Sequence, residues 1–255
     1  MSTLHLKYKR IAHRKIGTAQ ELPKSAFASF NPSILGLGKI SREAEYQEAL
    51  AAIFDLEGFT TFCSQIDPHL VVPEYLEQLL TWLFDAISKE FKLEETTDEI
   101  LLWSPLPFFA KFLGDGVLFL WNTKGMHAKD IGNIVASLLS ICRSYRGQFF
   151  TEARGNFVRV PPRLRCGIAR GQVVAVGEKA DFVGPCINMA ARLQKLGTYS
   201  FAFSRRGFDL DRNFEKGWKK EFSTQNVDVR GVGEDELVYV LNEECSTPGR
   251  ETKKG

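Results

Sequence analysis

Two stretches of strand length, almost wholly apolar, each run into an aspartate where the strand meets a glycine-containing turn. The first is Leu50–Leu56, within Phe54-Asp55-Leu56-Glu57-Gly58-Phe59-Thr60. The second surrounds Lys111-Phe112-Leu113-Gly114-Asp115-Gly116. Apolar runs of this length, bounded by turn residues, read as buried strands. An acid where such a strand meets a glycine turn projects from a rigid edge, and two of them can share a cleft. Carboxylate oxygens of this kind suit hard divalent cations and phosphate chemistry.

The surrounding pattern alternates between helical and extended periods. Pro73 fits the first turn of a helix running to about Phe91, with Leu76, Leu79, Leu80, Leu83, Phe84 and Ile87 on one face. Phe108–Leu113 and Gly116–Trp121 read as a hairpin with its tight turn at Gly114-Asp115. Ile131–Tyr145 has helical spacing. Arg163–Ala169 and Gln172–Val176 read as a second hairpin about Arg170-Gly171. Pro185–Leu196 reads as a helix that puts Asn188 and Arg192 on one face. A strand over Tyr199–Phe203, a short helix near Ser204–Phe208, and strands over Val227–Arg230 and Glu236–Leu241 complete the order. Hairpins interleaved with helices predict an α+β fold, a mostly antiparallel sheet with helices packed on one face. A doubly wound sheet would need a crossover helix after nearly every strand. Neither a GxxxxGK(S/T) loop nor a GxGxxG turn after a strand is present.

Outside this core, residues 1–47 read as an extension, loosely ordered to about residue 40, with a short helix start at Ser41. Residues 92–107 read as an insertion whose Leu101-Leu102-Trp103 cluster suggests a dimer contact. The catalytic-domain candidate is 48–242, and 243–255 reads as a disordered tail. A net charge of +2 gives no reason to expect nucleic acid or a membrane as partner. The basic run Lys7, Lys9, Arg10, Arg14, Lys15 reads as a solvated arm. The five cysteines show no metal-ligand spacing and read as reduced thiols. With no bilayer-length apolar stretch and no signal-peptide core, they point to the cytosol.

Three blocks in order carry a resemblance: Phe54–Thr60, Lys111–Asp115, and Asp181-Phe182-Val183-Gly184-Pro185-Cys186-Ile187-Asn188-Met189-Ala190-Ala191-Arg192-Leu193. Together they resemble the class III nucleotide cyclase catalytic domain. The resemblance implies a ferredoxin-like fold with active sites at a homodimer interface. It implies two Mg²⁺ or Mn²⁺ ions per site, held by Asp55, Asp115 and the backbone carbonyl of Leu56. It places Lys111 and Asp181 where the base is read, Asn188 at the ribose and Arg192 at the α-phosphate. Phe59, Thr60 and Arg230 fall at further substrate positions. Within the family the chain is most similar to the pyrimidine cyclases of bacterial anti-phage signalling (Pycsar type). That likeness implies UTP, ahead of CTP, as substrate, and a downstream effector responsive to the cyclic nucleotide. An adenylate cyclase is the first alternative, because Lys111 as donor and Asp181 as acceptor suit adenine as well as either pyrimidine. A nucleotide-binding module without catalysis is the second.

Overall fold

The computed structural model describes residues 6–30, 46–176, 181–197, 199–229 and 233–241. In chain order the strands are β1 (Lys9–His13), β2 (Gly17–Pro23), β3 (Tyr46–Leu56), β4 (Lys92–Glu95), β5 (Glu99–Leu102), β6 (Phe109–Phe112), β7 (Gly116–Asn122), β8 (Leu164–Val176), β9 (Asp181–Val183), β10 (Phe201–Ser204), β11 (Phe222–Val229) and β12 (Gly233–Leu241). The helices are α1 (Lys24–Ala28), α2 (Phe59–Phe62), α3 (Pro68–Phe91), α4 (Ala128–Ser144), α5 (Phe150–Asn156), α6 (Pro185–Leu193), α7 (Leu210–Asn213) and α8 (Lys216–Lys219). A π-helical turn, Tyr145–Phe149, joins α4 to α5.

The large sheet runs β11-β12-β10-β8-β3-β7-β6, with β9 paired to the end of β8. Only β10 and β8 are parallel among its pairs. The segment β8-β3-β7-β6 is the antiparallel core of a βαββαβ, ferredoxin-like unit. β3 lies at its centre, and its last eight residues are buried. Alternation along β3 feeds two cores. Leu50, Ala52, Phe54 and Leu56 pack with residues of α3 and α4. Ala49, Ala51 and Ile53 pack with Cys186, Met189, Ala190 and Leu193 of α6. Helices therefore cover both faces, not one. The single-face expectation failed because α6 is short and its apolar stripe is too brief to show which face it serves.

The expected 163–176 hairpin is one continuous strand, β8, paired with β3 from Tyr46↔Val174 to Leu56↔Leu164. Gly171 is not there for a turn. A Cβ on it would lie 3.3 Å from the Cys186 Cβ, and a Cβ on Gly167 would lie 2.2 Å from the Ala190 carbonyl oxygen. Both glycines let α6 rest directly on the strand. Gly167→Ala is expected to lift α6 and destabilise the protein by about 1–3 kcal/mol, the usual cost of overpacking. A denaturant midpoint unchanged from wild type would contradict this.

Other boundaries move for local reasons. α3 begins at Pro68, which takes the first-turn position, and Pro73 lies exposed inside the helix. The helix expected near Ser204–Phe208 forms instead at Leu210, where the Asp209 carboxylate accepts hydrogen bonds from the Asp211 and Arg212 amides.

Residues 9–23 are not a loose arm. β1 and β2 form a hairpin, and β2 pairs with β5 of the insertion to give a second sheet, β1-β2-β5-β4. Ala19 and Leu22 are buried there, and Phe30 packs on Phe84 of α3 at 4.9 Å. The Leu101-Leu102-Trp103 cluster is intramolecular packing rather than a dimer contact. Leu102 is fully buried, Trp103 stacks on Phe91 at 4.8 Å, and its indole donates to the Glu90 carbonyl at 2.7 Å. Charged side chains such as Lys9 and Arg10 line the β1 edge, a common guard against further pairing. Ser41 and the 243–255 tail lie outside the described residues. Cys63, Cys142, Cys166 and Cys186 are free thiols. No helix among the described residues is long and apolar enough to cross a membrane.

Candidate functional site

Asp55 continues the row Ala49, Ala51, Ile53 and so lies on the α6 face of the sheet. It is opposite Gly116 on β7 and Arg165 on β8. Asp115 precedes Gly116 in the β6–β7 turn and is exposed. The turn is stitched onto β3: the Leu56 amide donates to the Asp115 carbonyl at 3.2 Å. Gly116 permits this approach, since a Cβ there would fall 2.1 Å from the Phe54 carbonyl oxygen. Two acids 60 residues apart in sequence are thereby held on neighbouring strands, one register step apart.

Asp55 is 3% exposed and receives the Arg165 guanidinium, with Nε at 3.1 Å from Oδ2. Burial pushes the Asp55 carboxyl above its ordinary value; Arg165 opposes this, the charge of Asp115 adds to it, and Lys195 just past α6 opposes it. Burial, then the Asp115 charge, pushes the nearby Cys63 thiol up. Among the described residues no third Asp, Glu, His or Cys joins the two aspartates in a metal-binding cluster. The donor set is two carboxylates with the Leu56 carbonyl beside them. Such a set fits Mg²⁺ or Mn²⁺, which bind through one or two carboxylates and complete their shell with water and phosphate oxygens.

A second group gathers around Lys111. Its ammonium forms an ion pair with Asp181, whose other oxygen accepts from the Phe182 amide at 2.9 Å. Phe182 is buried edge-to-face against Phe108 and Phe109, with centroids at 5.2 and 4.9 Å. Lys111 is opposite Leu118, Leu118 is opposite Ile53, and Ile53 is opposite Gly167. This row faces α6, as Asp55 does. Two strand spacings of ~4.8 Å and two residue rises of ~3.3 Å put the Lys111 and Asp55 backbones roughly 12 Å apart.

A third group sits on α6. Gly184 starts it from a close approach to β8, where a Cβ would meet the Gln172 carbonyl oxygen at 2.5 Å. Cys186, Met189, Ala190 and Leu193 are the buried stripe, leaving Asn188 exposed and Arg192 half-buried. Among the described residues neither side chain has a hydrogen bond or ion pair that would hold it back from a ligand.

The remaining residues divide. Thr60 is exposed, whereas the Phe59 ring is buried and stacks on Phe62 at 5.7 Å, leaving only its backbone for a ligand. Among bulky side chains near the Lys111–Asp181 pair and along β3, Phe182 is packed beside Asp181, Phe112 is half-buried, and Tyr46 stands 75% exposed at the far end of β3. Arg230 lies outside the described residues. Arg165, which holds the Asp55 carboxylate, stands outside the residues expected from the sequence. The available signal was a charged residue inside an apolar strand run, directly before Cys166-Gly167-Ile168-Ala169.

No protein-family model and no curated protein matches the chain. Solved structures do. A bacterial light-regulated adenylyl cyclase aligns with a TM-score of 0.54 at 18% identity, over 78% of this chain. The chain spans 53% of that protein's length. The guanylyl cyclase Cya2 aligns with a TM-score of 0.53 at 17% identity, over 80% of this chain and 94% of its own. At these identities the likeness is one of fold. The chain has the class III nucleotide cyclase fold that its three motif blocks led us to expect.

Proposed function

We propose that the protein is a metal-dependent nucleotidyl cyclase that converts a pyrimidine nucleoside triphosphate, UTP ahead of CTP, into its 3′,5′-cyclic monophosphate and pyrophosphate. The observation that carries the cyclase reading is the convergence of Asp55 and Asp115 on the sheet face that also bears Lys111, Asp181 and α6. Cyclisation is an in-line attack of the ribose 3′-oxygen on the α-phosphorus, with pyrophosphate leaving. The protein's task is to fold the nucleotide and offset the charge that grows on the phosphoryl oxygens. Asp55, Asp115 and the Leu56 carbonyl hold Mg²⁺ or Mn²⁺, two ions per site. When bound, these supply a lowered pKa at the 3′-hydroxyl and charge neutralisation at the triphosphate.

The chain's own groups do the rest. Lys111 donates to the base and Asp181 accepts from it. Asn188 fixes the ribose, and Arg192 forks two donors onto the α-phosphoryl oxygens. Arg165 holds the Asp55 carboxylate in place, and Arg230 grips the outer phosphates. Pyrimidine choice is supported by likeness to the anti-phage pyrimidine cyclases; Phe182, next to Asp181 and packed on Phe108 and Phe109, is the side chain we assign to shortening the base pocket. That likeness also supports a cytosolic role in which the product activates a partner effector. A homodimer with paired sites is supported by the exposed apolar residues beside the motifs: Leu113 next to Gly114-Asp115, and Val183, which shares a row with Tyr46 through Val174.

Incubation of purified protein with Mn²⁺ and each of the four NTPs in turn, reading pyrophosphate and cyclic product by mass, tests the reading. Cyclic UMP is expected as the main product. Turnover of ATP alone would leave an adenylate cyclase. Metal-dependent binding with no pyrophosphate release would leave a nucleotide-binding module.

A further inference from the structure

A cleft of about 850 Å³ opens between the two sheets at the end of β7 opposite Asp55, which is paired with the strand's first residue. Its walls come from the β1–β2 hairpin, the return of the insertion over 103–108, and the turn that leads into α4. Of the residues in the three groups described above, only Phe108, which packs on Phe182, also lines the cleft. The volume is that of a small-molecule site.

Three features give the cleft a chemical character. Arg10, Lys124 and Lys129 line it, and among the described residues none of them is in an ion pair; Asp130 is the one carboxylate in the wall. The seventeen-residue helix α4 begins there with no side-chain cap, so its first amides and positive end face the same space. Two hydroxyls await partners. Ser104 is 2% exposed, and its Oγ has no hydrogen-bond partner among the described residues. Tyr8 accepts from the Leu106 amide at 3.0 Å, but no described acceptor takes its own proton. Burial pushes the Tyr8 phenol up, so it stays a neutral donor. A buried hydroxyl without a partner is costly and calls for a ligand or water to satisfy it. Trp103, Phe108 and Met126 supply an apolar side.

We propose that this cleft binds a small ring-bearing organic phosphate, with the phosphate held by Arg10, Lys124 and the start of α4, and the ring laid against Trp103 and Phe108. Three cationic side chains and a helix start supply the donors and positive charge that a phosphate dianion, with its greater charge, takes up better than a carboxylate. The proposal stands apart from the cyclase reading, because its charged residues are not those of the nucleotide site and its readout is binding without metal or NTP.

Phenyl phosphate is the probe, titrated calorimetrically into the full chain without metal or NTP. Saturable binding at one site per chain is expected. Inorganic phosphate, benzyl alcohol and benzoate should each bind at least tenfold more weakly. The double variant Arg10→Ala/Lys124→Ala should lose at least tenfold in affinity while keeping its melting temperature, since both residues are exposed. Ser104→Ala should weaken binding by a smaller factor. Arg192→Ala should leave it unchanged. Absence of saturable binding, full affinity in the double variant, or benzoate binding as tightly as phenyl phosphate would overturn the proposal. So would loss of binding in Arg192→Ala, which would place the probe in the nucleotide site.

Discussion

Asp115→Ala is expected to abolish cyclic nucleotide formation while leaving the fold in place. Its side chain is exposed, and among the described residues it makes no ion pair. What holds the turn is backbone: the Asp115 carbonyl accepting from Leu56, and Gly116 against β3. Removing the carboxylate therefore removes a metal ligand and little else. Losing several kcal/mol of transition-state stabilisation corresponds to ~10³-fold or more in turnover. The melting temperature should stay within ~2 °C, as for other surface substitutions. Pyrophosphate release read beside a thermal melt checks both halves. Normal product formation would sink the metal assignment. Asp55→Ala is the less clean experiment, because it leaves the largely buried Arg165 without its carboxylate and mixes stability with chemistry.

Arg192→Ala should lower the maximal rate by ~10²–10³, the usual cost of one preorganised donor at a developing oxyanion, with KM for UTP little changed. A guanidinium that acts on the α-phosphoryl charge matters more in the transition state than in the bound substrate. Arg192→Lys should recover only part of the rate, since an ammonium cannot fork onto two oxygens. The half-buried position on α6, with no ion pair to lose among the described residues, makes a stability effect small. A change confined to KM would assign Arg192 to ground-state binding.

The first strand, the β6–β7 hairpin, the helices on either side of it and the places of the two aspartates were legible in the sequence for a common reason. Each lies where a long periodic segment breaks, and breaks of period are local signals. β3, the β6–β7 hairpin, α4 and α6 all form close to where their spacing puts them. The misreadings share the opposite cause. Gly171 resembles a turn residue in isolation and serves instead the approach of a helix that arrives later in the chain. β1 and β2 carry few buried positions, and β2 finds its partner in β5, so no window of neighbouring residues contains the reason for the strand. Arg165 meets its partner only in the acid opposite it on another strand.

The β2–β5 pairing ties the fate of two peripheral segments together. Deleting the leading hairpin would strip hydrogen bonds from β5 and take the buried Leu22 out of the core. Deleting the β4–β5 excursion would leave β2 with a raw edge and no floor under Leu22. Neither addition is stable decoration by itself. A trimmed version of this protein has to shed both or neither, and one that sheds a single piece should precipitate rather than merely lose affinity for a ligand.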